Sequence, residues 1–223
     1  MGGVAVRLGL FGGTFDPPHY GHLVAAQEAV DRLGLQRVLF LPAGQPPHKL
    51  GEPVSPFPIR RQLVELAIAD NPAFELSLLD SARPGPSYTA DLLAYVRQVV
   101  GPEPELYFLV GMDSLRDLTT WHDPARVLAQ CILVAVSRPG YPPLDPQLLA
   151  AELPGAAERI VVLETPGVDI SSTDLRGRVA SGRPIRYLVP DAVRALIEEQ
   201  GLYGSRESGA RSQGEKPSST PDA

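Results

Sequence analysis

Val4-Ala5-Val6-Arg7-Leu8-Gly9-Leu10-Phe11 runs directly into Gly12-Gly13-Thr14-Phe15-Asp16-Pro17-Pro18-His19-Tyr20-Gly21-His22, and this junction decides the fold. The first stretch is a mostly apolar run of strand length. Two glycines end it, and from His22 to Leu33 apolar residues recur at the three-to-four spacing of an amphipathic helix. A buried strand that hands over to a helix through glycine-rich backbone is the opening unit of an alternating α/β protein. Working outward, strand-like runs recur at Arg37 to Leu41, Phe74 to Leu79, Glu105 to Val110, Cys131 to Val136 and Arg159 to Leu163. Helical patterns separate them at Ile59 to Ala69, Thr89 to Val99 and Pro124 to Gln130, and two more follow at Thr173 to Val179 and Asp191 to Gln200. The order predicts a single Rossmann-like α/β domain over residues 1–203, a mostly parallel sheet with helices on both faces. Ligands are then expected beyond the carboxyl ends of the strands.

Past Tyr203 the composition turns to Ser, Gly, Arg, Glu and Pro, with almost nothing to bury, and residues 204–223 are expected to be a disordered tail without a part in chemistry. With 223 residues, 43% of them hydrophobic, the chain can bury one core of ordinary size. No run reaches the roughly 18 apolar residues that a membrane span needs, and the first residues lead into a strand instead of a cleavable signal, so a cytoplasmic protein with no membrane partner is expected. A formal charge of −6 argues against a nucleic-acid partner, which would call for a basic face. An acidic chain that binds anions must do so with concentrated local donors. The single cysteine, Cys131, lies in an apolar run and reads as a buried thiol. Four histidines without a close cysteine or carboxylate cluster give no protein-built metal site.

The glycine-rich junction can do more than turn the chain. Gly12 and Gly13 let backbone approach a ligand closely, Thr14 offers a hydroxyl, and the free amides of the helix start attract an anion. His19 and His22, three residues apart, can share one face of an early helical turn and grip a polyphosphate. The bland alternative is a stiff turn with surface or capping histidines. The segment lacks the lysine of a P-loop and the spacing of a G-x-G-x-x-G fingerprint, so hydride chemistry on a dinucleotide is poorly supported. A second hydroxyl-rich helix start, Ile170-Ser171-Ser172-Thr173-Asp174-Leu175-Arg176, can bind phosphate through its amides and hydroxyls with Arg176 as a planar donor, or simply cap a helix.

His19-Tyr20-Gly21-His22 resembles the H-x-G-H signature of the nucleotidyltransferase superfamily, and Ile170 to Arg176 resembles the I-S-S-T-x-x-R motif of its adenylyltransferase branch. The resemblance implies an ATP site formed by Gly12, Gly13, Thr14, Phe15, His19, His22, Gly111, Asp113, Ile170, Ser171, Ser172 and Arg176. It makes His19, His22 and Arg176 the catalytic residues, with Arg176 the transition-state cation.

The middle of the chain bears on the acceptor. Pro46-Pro47-His48-Lys49, Ser87-Tyr88-Thr89, Gly111-x-Asp113, Trp121 and Arg138-Pro139-Gly140-Tyr141 together look like bacterial nicotinate-nucleotide adenylyltransferase, over about residues 5–203. Taken singly, each has another reading: a plain loop for His48 and Lys49, a helix cap for Ser87, Thr89 or Asp113, a core tryptophan for Trp121. The family resemblance implies acceptor binding by Thr14, His48, Lys49, Tyr88, Thr89 and Trp121, with the indole stacked on a pyridine ring. The expected reaction is adenylyl transfer from ATP to nicotinic acid mononucleotide, with Mg²⁺ held mainly by the ATP phosphates. A homo-oligomer is left open. Two features depart from the family pattern: Asp91-Leu92-Leu93 follows Ser87-Tyr88-Thr89, and His122 follows Trp121 where relatives carry an aromatic. The competing expectations are an adenylyltransferase for nicotinamide mononucleotide or phosphopantetheine and, from another class, a nucleotide-sensing protein without turnover.

Overall fold

The computed structural model describes residues 6–46, 54–83, 85–137 and 144–204. Six strands form one sheet: β1 (Arg7–Gly13), β2 (Arg37–Pro42), β3 (Phe74–Leu76), β4 (Glu105–Gly111), β5 (Ile132–Val136) and β6 (Ile160–Leu163). Their order is β3-β2-β1-β4-β5-β6, and every neighbouring pair is parallel. β1 therefore lies between β2 and β4, where the winding of the chain reverses and a crevice opens at the strand ends.

Parallel strands buried on both faces read as continuous apolar runs, and this is why the six runs were visible in sequence. Alternate residues divide between two cores. Phe11, Val38, Phe40, Tyr107, Leu109 and Val134 join the core under α1 (Tyr20–Leu33), α2 (Phe57–Ile68), α7 (Ser172–Ala180) and α8 (Asp191–Glu199). Leu8, Leu10, Leu39, Leu106, Phe108 and Leu133 join the core on the other face, under α3 (Thr89–Val100), α4 (Met112–Arg116) and α5 (Pro124–Gln130). The α3 side chains Leu93 and Val96 are wholly buried there, each worth about 1.5–3 kcal/mol of transfer free energy. A short α6 (Ala156–Arg159) precedes β6.

The expected elements occur with ends shifted by a few residues; β1 starts at Arg7, and β3 stops at Leu76. The five-residue α4 and four-residue α6 carry too few turns to show a helical period in sequence. Residues 205–223, Pro47-His48-Lys49 and Arg138-Pro139-Gly140-Tyr141 lie outside the described residues. No helix among the described residues is long and apolar enough to cross a membrane.

Candidate active site

The ends of β1, β2, β4 and β5 open onto one cleft of about 1070 Å³. A site for a single small ligand spans roughly 300–1,000 Å³, so this one has room for two nucleotide-sized molecules. From β1 it takes Gly12, Gly13 and Thr14, from the start of α1 His19 and His22, and from β4 onward Gly111 and Asp113. Ile170, Ser171 and Ser172 line it from the start of α7, and Tyr88, Thr89, Trp121 and His122 from the loops beside α3 and α5.

His19 occupies the cap position of α1, in extended backbone, and is buried. Its main-chain N–H donates to Nδ1 of His22 at 3.2 Å. With Nδ1 as acceptor, a neutral His22 carries its proton on Nε2 and can donate it to an anion. The two imidazoles face each other at a tilt of 31°, with centroids 3.8 Å apart. Gly21 makes this possible, because a Cβ there would meet Cε1 and Nδ1 of His19 at 3.0 Å. Phe11 and Phe15 back the His22 ring edge-on, at 5.7 and 5.1 Å. Two imidazoles are thus held in fixed orientation at a helix N-terminus, where main-chain amides also attract anions.

The loop behind the histidines is fastened by a buried knot. Asp16 Oδ1 accepts from the Tyr203 hydroxyl at 2.6 Å, and Oδ2 accepts from the Ser55 N–H at 2.9 Å. Arg60, also buried, donates to the carbonyls of Thr14 at 2.9 Å and Ser55 at 3.0 Å. Burial, and then the bond to Asp16, pushes the Tyr203 phenol far above its ordinary value; burial lowers the Arg60 guanidinium, against the nearby Asp16 charge. The I-S-S-T segment grips the same loop: Ser172 Oγ donates to the Pro17 carbonyl at 2.8 Å and Arg176 Nη1 to the Asp16 carbonyl at 2.9 Å. Ser171 caps α7 by accepting from the Asp174 N–H at 3.1 Å.

At the other end Tyr88 and His122 stack with centroids 4.5 Å apart, next to Trp121, which is half-buried against the second core.

Most residues assigned to the site from sequence meet in this cleft, with two differences. Phe15 takes φ 51, which turns its ring into the core against Phe11 and His22, so any contact with ATP is confined to its backbone. Arg176 is not among the lining residues; its guanidinium donates to the Asp16 carbonyl, in the loop between β1 and α1.

Comparison with known proteins agrees with this geometry. Residues 10–178 match the cytidylyltransferase-like family. A probable nicotinate-nucleotide adenylyltransferase of Thermomicrobium roseum is 47% identical over 91% of this chain and 94% of its own length. One of Roseiflexus sp. is 50% identical over 88% of this chain and 97% of its own. The chain belongs to the nicotinate-nucleotide adenylyltransferase family. A nicotinic acid mononucleotide adenylyltransferase of Plasmodium falciparum, solved in complex with NaAD, shares the fold at a TM-score of 0.74 and 16% identity, over 89% of this chain and 97% of that one.

Several residues that shape the site of this adenylyltransferase gave no functional signal in sequence. Asp16 reads as a spacer between a glycine turn and two prolines, Arg60 as one more arginine on an amphipathic helix, and Tyr203 as the end of the domain. Asp80 and Arg83 sit in a loop without any motif. Only His122 could have been found, through its place next to Trp121.

Proposed function

We propose that the chain transfers the adenylyl group of ATP to nicotinic acid mononucleotide, forming nicotinic acid adenine dinucleotide and pyrophosphate, in NAD biosynthesis. The observation that carries this is the close His19 and His22 pair at the start of α1, in one cleft with Gly12 to Thr14 and Ser171-Ser172. ATP lies along the β1–α1 junction with Gly111 and Asp113 toward its nucleoside. The acceptor occupies the end lined by Thr14, Tyr88, Thr89 and Trp121, with the indole against the pyridine ring; the roles of His48 and Lys49 in binding the acceptor phosphate rest on the family resemblance alone.

A phosphate oxygen of the acceptor attacks the α-phosphorus in line; the new P–O bond forms as the bond to the bridging oxygen of pyrophosphate breaks, and the electron pair leaves with that oxygen. No side chain has to act as nucleophile. Cys131 is unsuited to such a role, since burial pushes its thiol up to about 12. Catalysis is then positioning together with stabilisation of charge on the leaving phosphates, by His19, His22 and the α1 amides. For Arg176 to serve as the transition-state cation it exchanges the Asp16 carbonyl for a phosphate oxygen.

Among the described residues no group of three or more His, Cys, Asp or Glu could hold a metal. Hydroxyls, amides and imidazoles fit a metal carried by the nucleotide, and Mg²⁺ bound so would neutralise phosphate charge. The chemistry is assigned to residues 1–203 of a cytoplasmic enzyme, with 204–223 dispensable.

Pyrophosphate release from ATP and Mg²⁺ tests this, with nicotinic acid mononucleotide, nicotinamide mononucleotide and phosphopantetheine offered at equal concentration. Strong preference for the acid mononucleotide is expected. Preference for either other acceptor would replace the acceptor assignment, and no release with any of them would favour nucleotide binding without turnover.

A further inference from the structure

Asp80 is one of the few buried charged residues, at 3% exposure, and it reaches the cleft lining without belonging to any motif. Its Oδ2 accepts twice, from the Gly44 N–H at 2.9 Å and the Ser87 hydroxyl at 2.5 Å, and its Oδ1 accepts from Arg83 Nη2 at 2.9 Å. Ser87 Oγ in turn accepts from the Gln45 N–H at 3.2 Å, and the Ser87 N–H donates to the Gln45 carbonyl at 3.0 Å. Two segments far apart in sequence, the turn after β2 and the residues that start α3, are thus tied through one carboxylate. The contact is close: a Cβ on Gly44 would lie 3.1 Å from the Ser81 Cα.

Resting on the acceptor assignment above, we propose that Asp80 is the positioning residue of the acceptor pocket, fixing Ser87-Tyr88-Thr89 against the turn at Gly44-Gln45. The site requires a group that only accepts. An asparagine that turns its oxygen to Gly44 and Ser87 points its NH₂ at the Arg83 guanidinium, and the reverse rotamer points the NH₂ at the Gly44 N–H, so either way two donors face each other. Arg83 has a second function at this place. It balances a carboxylate that would otherwise repel an anionic acceptor across the cleft. The partners of the Asp80 carboxylate, Gly44, Arg83 and Ser87, belong to the turn after β2 and the approach to α3, so its loss should register mainly on the substrate bound beside them.

The experiment is steady-state pyrophosphate release by the full chain, with ATP and nicotinic acid mononucleotide varied in turn, for wild type, Asp80→Asn, Ser87→Ala and Ser87→Thr. Asp80→Asn is expected to raise the KM for the acceptor by about tenfold or more while the KM for ATP stays within about twofold. Ser87→Ala should give about a threefold rise in the acceptor KM, and Ser87→Thr, which keeps the hydroxyl, should return it toward wild type. The serine pair also decides the matter should Asp80→Asn not fold. Equal rises in both KM values, or an unchanged acceptor KM in folded Asp80→Asn and in Ser87→Ala, would overturn the role given to Asp80. Wild type that does not turn over the acid mononucleotide fails the functional reading itself, a result distinguishable because it appears before any substitution.

Discussion

Two buried aspartates, Asp16 and Asp80, each tie down a loop at the carboxyl edge of the sheet, and they do it differently. The Asp16 carboxylate meets Ser55 and Tyr203, 39 and 187 residues away, and arginines from α2 and α7 clamp main-chain carbonyls around it. Asp80 meets Arg83 and Ser87, three and seven residues away, and, among the described residues, one more distant partner, Gly44, at a separation of 36. On the side of the proposed phosphate site, then, loop geometry depends on α2, α7 and the end of the domain all being in place. On the side of the proposed acceptor site it depends on a local turn closed by one longer contact. The difference teaches that damage to the phosphate loop should appear as lost stability together with lost turnover, whereas damage to the acceptor loop should alter substrate affinity in a protein that still folds.

The largest effect should come from Arg60→Ala. It leaves the carbonyls of Thr14 and Ser55 without their charged donor and removes a cation that interacts with the buried Asp16, a combination that costs about 3 kcal/mol or more. The matching change, Arg83→Ala, should cost less, because the Asp80 carboxylate keeps two other donors and the Arg83 side chain is 13% exposed. Urea denaturation of both variants checks the order, and a larger loss for Arg83→Ala would break the comparison. Next in size is His22→Ala, for which a loss of about a hundredfold in kcat is expected, typical of removing one preorganised donor to a developing charge. Its unfolding midpoint should fall as well, though less than for Arg60→Ala, since the half-buried ring packs on Phe11 and Phe15 and accepts from the His19 N–H. A near-normal rate would remove His22 from the mechanism.

What could be read in advance follows the same division. The sheet was legible because six parallel strands buried on both faces are written as six apolar runs, and the histidine pair because its residues lie three apart within a single turn. A network like Arg60-Asp16-Tyr203 leaves no trace, because no spacing along the chain encodes a contact spanning 187 residues. The placement of the Phe15 ring is hidden for a related reason. It stands inside the motif, yet a positive φ sends its side chain into the core, and composition cannot show that. For Arg176 the motif resemblance implies a phosphate partner, while in the structure the guanidinium donates to the Asp16 carbonyl.

Tyr203→Phe sharpens the comparison through pH. Burial and the bond to Asp16 raise the folded-state pKa of the phenol above its unfolded value near 10. The folded chain therefore holds a proton that the unfolded chain gives up, so this part of the stability is complete below about pH 10 and is lost as pH rises further. Wild type should lose stability between about pH 9 and pH 11 more steeply than Tyr203→Phe, which at neutral pH should be weaker by about 1.5 kcal/mol for the missing hydrogen bond to a carboxylate. Parallel pH profiles for the two proteins would mean that the Asp16 knot does not depend on the phenol.

Trp121→Ala should have the smallest effect and the most selective. The indole lies at the end of the cleft proposed for the acceptor, half-buried against the second core, with the stacked Tyr88 and His122 rings beside it. Losing a face that stacks on a pyridine ring should raise the KM for the acceptor by about tenfold, with the KM for ATP and the unfolding midpoint changed far less. Asp80→Asn and Trp121→Ala then provide an internal control, since both act on the acceptor and only the tryptophan is expected to touch it. If Trp121→Ala weakens ATP and acceptor alike, the indole supports the cleft as a whole, and the separation between a globally fixed phosphate side and a locally fixed acceptor side does not extend to the aromatic wall.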